Sequence, residues 1–77
     1  MNNAIITKYI GPTDFKVERI SARFAIGGGR IVIPFPHALS GECAHMHAAE
    51  KLIQKCNPQL RIVESAGIDS GFVFIAR

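Results

Sequence analysis

The chain reads as short apolar stretches broken by glycine and proline, with one segment of helical period between them. "AIITKYI" at residues 4–10 is rich in β-branched side chains and predicts a first strand. "GPTDFK" follows, and its breakers Gly11 and Pro12 predict a connection. "VERISARFAI" at residues 17–26 alternates. Glu18, Ile20, Ala22, Phe24 and Ile26 point to one side, and Val17, Arg19, Ser21, Arg23 and Ala25 to the other. The glycines at 27–29 predict a turn, and "RIVIPF" the return strand. Pro34 has no N–H to donate, so regular pairing is expected to stop beside it or the strand to lie at an edge.

The next segment has a period near 3.6. Ser40 is the expected N-cap, and Glu42 in the first turn suits the positive end of the helix dipole. At about 100° per residue, His45, Ala48, Ala49, Leu52 and Cys56 form an apolar-leaning stripe with Ile53 at its margin. Cys43, His47, Glu50 and Gln54 lie opposite. Asn57-Pro58 ends the helix. "LRIVESA", the loop "GIDSG" and "FVFIAR" then predict a hairpin with a four- or five-residue loop. The expectation is one α+β domain over residues 1–77, in the order β-β-β-α-β-β. Its antiparallel sheet has four to five strands, with the amphipathic helix packed on one face.

Composition narrows the classes. With 48% hydrophobic and 19% charged residues, the chain is too apolar for disorder. Its apolar runs are too short to span a bilayer. The opening "MNNAIITKYIGP" lacks the basic and apolar regions of a signal peptide, so the cytoplasm is the expected location. Cys43 and Cys56 on one helix stand roughly 20 Å apart, too far for a disulfide. Unpaired cysteines fit a reducing compartment.

The net charge of +3 permits a nucleic-acid partner without requiring one. Arg19 and Arg23 share the side of the second strand turned from the core. Lys8 and Arg30 are expected to join them in a basic strip able to contact phosphates. The outer helix face, with Cys43, His47, Glu50, Lys51 and Gln54, is the second candidate surface. Cys43, His47 and Glu50 lie close on that face, but a structural zinc site needs four good ligands. Cys43 in the first helical turn with His47 as base would make a thiol dyad, yet no orienting acid or oxyanion donor accompanies it. Neither a cofactor, a metal nor catalysis is therefore expected, and His45 is expected as a partly buried structural imidazole. "GGGR" lacks the spacing and lysine of a phosphate-binding loop. "SGFVFIAR" is similar to the core of the RNA-recognition-motif signature, but lacks its leading basic residue and a second aromatic motif. Phe72 and Phe74 are expected in the core. "IVI" and "FVFIA" are apolar on both sides, so residues such as Val73 and Ile75 call for a cover beyond the single helix. A second copy, giving a homodimer, or a sheet-bound partner is expected there.

With "TKYIGPTDFKVERISA", "RIVIPFPHALSGECAH" and "AAEKLIQK", the chain resembles a group of short proteins of bacteria, their plasmids and phages. The matching positions are Gly11, Pro12, Arg19, Pro34, Ser40, Glu42 and His45. Cys43 and His47 fall outside the pattern. The group's segment after "GPT" is richer in arginine and glycine than "DFKVER" is. The resemblance implies a small non-catalytic binding protein of a phage or other mobile element, docking on a macromolecular target. Inhibition of a host defence complex, of the anti-CRISPR or anti-restriction type, is the role such a setting implies. A host protein or protein complex is the leading partner, and nucleic acid the alternative.

Overall fold

The structure is a computed structural model that describes residues 3–15, 17–36, 38–39, 41–69 and 71–77. Strands β1 (Asn3–Ile10), β2 (Arg19–Phe24) and β3 (Arg30–Pro34) precede the helix α1 (Gly41–Cys56), and β4 (Ile62–Ile68) and β5 (Gly71–Ala76) follow it. They form one five-stranded sheet in the order β3-β2-β1-β5-β4, antiparallel at every step. The expected α+β order is the one observed.

Because every step is antiparallel, the edge strands β3 and β4 run in the same direction. The chain must therefore cross the whole sheet between them, and α1 does so. Its 16 residues span about 24 Å, against about 19 Å for four inter-strand steps. The helix packs on β2, β1, β3 and β5. Ala44, Ala48 and Ala49 bring it close, and Leu52 and Ile53 fill the space above Ile5, Ile20, Ala22, Phe74 and Ala76. Phe74 is the largest fully buried side chain, and Phe72 packs beside it, as expected of both.

Local detail departs from the pattern in three places. The second strand is shorter than its alternation. Val17 and Ile26 lie outside β2 and are 67% and 92% exposed, so Ile26 is not a core residue. The cause is the turn: Gly27 and Gly29 take φ of 89° and 112°, open to glycine, and Phe24 N–H donates to Gly29 O to close the hairpin. Pro34 ends β3 on the sheet edge, satisfying both halves of that expectation. The last hairpin turns more tightly than expected. Gly67 pairs with Phe72 and Ile68 with Gly71, leaving a two-residue loop. Glycines read as loop are thus part of the ladder. Cys56 is exposed rather than in the core stripe, because the helix end reaches past the sheet to lie over the hairpin turn at Gly29. The expected N-cap, Ser40, lies outside the described residues.

Candidate functional site

The register assigns each side chain to a face. Ile5, Thr7 and Tyr9 of β1 stand opposite Phe24, Ala22 and Ile20 of β2 on the helix side. Ile6, Lys8 and Ile10 stand opposite Arg23, Ser21 and Arg19 on the other side. Val73 and Ile75 of β5 share that second face with Ala4 and Ile6, and Glu64, Ala66 and Ile68 of β4 extend it. Among the described residues no helix or strand packs on it. The apolar surplus read from "FVFIA" is thus the open face of the sheet.

One corner of this face is cationic. Arg23 is paired directly with Arg30 across β2 and β3, and Lys8 with Ser21 across β1 and β2. Ile6, Lys8, Ser21, Arg23 and Arg30 line a concavity of about 370 Å³. Like charges directly opposite on a sheet cost roughly 0.2–1 kcal/mol. No carboxylate lines the concavity to offset that cost. The face's acidic residue on β4, Glu64, lies two strands from Lys8 and three from Arg23. The corner therefore carries positive charge that no residue lining it offsets. Arg19 stands apart from it. It lies opposite Ile10 and Pro34 at the far end of β2, half-buried, and its Nε meets no acceptor among the described residues. Of the four basic residues expected to act together, the structure gathers Lys8, Arg23 and Arg30. Sequence reading placed Ser21 on this side of β2 without assigning it a role, and it missed Ile6. The alternation of β1 puts Ile6 on the side of Lys8, and this was the available signal.

On the helix side, His45 fills a structural position as expected. The Thr7 hydroxyl donates to Phe72 O at 3.2 Å and accepts from His45 Nδ1–H at 2.7 Å. The imidazole also packs against the Phe72 ring, with centroids 4.8 Å apart and the planes tilted by 59°. Burial pushes the His45 pKa below its ordinary value of 6.5. The unfolded chain then takes up a proton before the folded one. Stability is full above pH about 6.5 and is lost as pH falls below it toward the depressed folded value. Urea midpoints at pH 7.5 and 5.5 should differ in this sense, and the difference should shrink in His45→Gln. An unchanged pH dependence in that variant would remove His45 as the cause.

The outer helix face divides. Cys43, Glu50, Lys51 and Gln54 are exposed and His47 is half-buried. Glu50 and Gln54 edge a groove of about 420 Å³ between α1 and residues 58–62, floored by Met46, Ile53, Leu60 and Ile62. That groove depends on the path between α1 and β4, which local pattern does not give. Glu42 is held by the Ser65 hydroxyl, which donates to its Oε2. Both cysteines are free. Among the described residues no cluster of three or more His, Cys, Asp or Glu is placed to hold a metal ion, and no helix is long and apolar enough to cross a membrane. No protein-family model, curated protein or solved structure matches the chain.

Proposed function

We propose that this chain is a non-catalytic binding protein that docks on a protein partner through the open face of its sheet. The observation that carries this reading is the uncovered face itself, apolar at Ile6, Val73 and Ile75 and cationic at Lys8, Arg23 and Arg30. The matching partner presents an apolar patch edged by carboxylates. Charge argues against a second copy on this face. Face-to-face pairing would set the cationic corner against its own kind or against a half whose acidic residue on β4 is the single Glu64. Nucleic acid fits less well, because Phe72 and Phe74 point into the core and offer bases no stacking platform. The resemblance to phage and plasmid proteins supports a host protein complex as the target.

The test compares wild type with Ile6→Glu, Arg23→Glu and Lys51→Glu as immobilised baits in a host lysate. A protein held by wild type and Lys51→Glu but lost by the two face variants supports the proposal. Loss with Lys51→Glu alone would move the site to the helix. Fluorescence anisotropy with labelled duplex DNA, single-stranded DNA and RNA runs beside it, at about 50 and 200 mM salt. Binding that survives the higher salt and is abolished in Arg19→Ala/Arg23→Ala would make nucleic acid the partner instead.

A further inference from the structure

The two edges of the sheet are unlike. The β3 edge carries Arg30 at its start and Pro34 at its end, both of which discourage another strand from pairing there. The β4 edge, "IVESAGI", has no proline, lysine or arginine, and its one charge is Glu64. Every residue from Val63 to Ile68 is exposed, and α1 touches this strand through the Glu42–Ser65 hydrogen bond but does not pack over it as it does over the other four. Val63 and Ile68 are 46% and 45% exposed. The bulge between Ile62 and Glu64 leaves residues 64–68 as a regular stretch at the sheet edge, with no strand paired to its outer side among the described residues. Soluble proteins rarely leave such an edge bare.

We propose that β4 pairs edge to edge with β4 of a second copy, antiparallel about a two-fold axis at Ala66, to give a continuous ten-stranded sheet. The stretch is self-complementary in this register. Ala66 meets its own copy, Ser65 meets Gly67, and Glu64 meets Ile68 on the open face, so no like charges stand opposite one another. Electrostatics favours this edge as well. It keeps the two cationic corners about 30 Å apart, well beyond a Debye length of about 8–10 Å. The open faces become coplanar and remain free for the partner, so the pairing is independent of what docks there.

Sedimentation equilibrium of the full chain, from micromolar to submillimolar, tests this. Wild type should approach twice the 8.4 kDa monomer mass. Ala66→Lys sets like charges opposite on the axis, and Ile68→Glu sets carboxylates opposite Glu64. Each should weaken association about tenfold. Ile68→Lys at the same site should preserve or tighten it, because it faces Glu64. That dependence on the sign of the charge separates pairing from general damage to the fold, and circular dichroism confirms that each variant is folded. A monomer throughout, equal effects of Ile68→Glu and Ile68→Lys, or a dimer abolished by Ile6→Glu and untouched by Ala66→Lys would each overturn the proposal.

Discussion

Gly71→Ala is expected to cost this domain a large share of its stability. A Cβ at Gly71 would sit 1.9 Å from Thr7 O, 2.8 Å from Thr7 C and 3.1 Å from Lys8 Cα. These are backbone atoms of the neighbouring strand, so no rotamer change relieves the contact. Gly71 pairs with Lys8 on one side and Ile68 on the other. Moving it away opens the β1–β5 ladder beside Thr7, whose hydroxyl ties Phe72 to His45. A penalty of about 3–5 kcal/mol follows from a clash of this kind. A chain of this length has roughly 4–12 kcal/mol in all. Urea titration followed by circular dichroism measures it. Gly67→Ala is the control: its Cβ would meet only the Phe72 ring edge at 3.9 Å, on the exposed strand β4. Its midpoint should stay near wild type. Equal midpoints for the two variants would show that the sheet absorbs the Gly71 methyl without opening.

Gly71 also marks where the sequence stopped being legible. Local period identified the five strands and the helix, and the alternation of residues 19–24 assigned Ile20 and Ala22 to the core and Arg23 to the open face. The boundaries depended on non-local events. Ile26 continues the alternation, yet closure of the hairpin at Gly29 takes it off the sheet. Gly67 and Gly71 have turn chemistry, yet both are held in the ladder between β4 and β5. Cys56 has the right angle for the core, but the helix outruns the sheet before reaching it. The candidate site followed the same rule. That Arg23 lies outside the core is a local fact. That it stands directly opposite Arg30, with Lys8 one strand beyond, is a matter of register and strand order. Those are fixed by turn lengths and by which strand β1 chooses for its second neighbour.

That juxtaposition gives the last prediction: in Arg23→Glu, stability and docking should move in opposite directions. In the free protein the new carboxylate would stand across from the Arg30 guanidinium. A cross-strand repulsion would become an attraction, with a gain of roughly 0.2–1 kcal/mol. In the docked complex the same change removes one of three cations lining the concavity and pairs off a second. A partner carboxylate desolvated there would lose its counter-charge, at a cost of about 2 kcal/mol or more and at least about thirtyfold in affinity. Arg23→Lys keeps the charge while losing the planar fork of donors, and should fall between wild type and the reversal. Affinity for the captured partner and the urea midpoint, measured on the same preparations, decide the matter. If affinity and stability fall together, the arginine pair is a structural element of the sheet and the docking surface lies elsewhere. If the reversed variant is the firmer protein and the poorer binder, the repulsion between Arg23 and Arg30 is retained for what it holds.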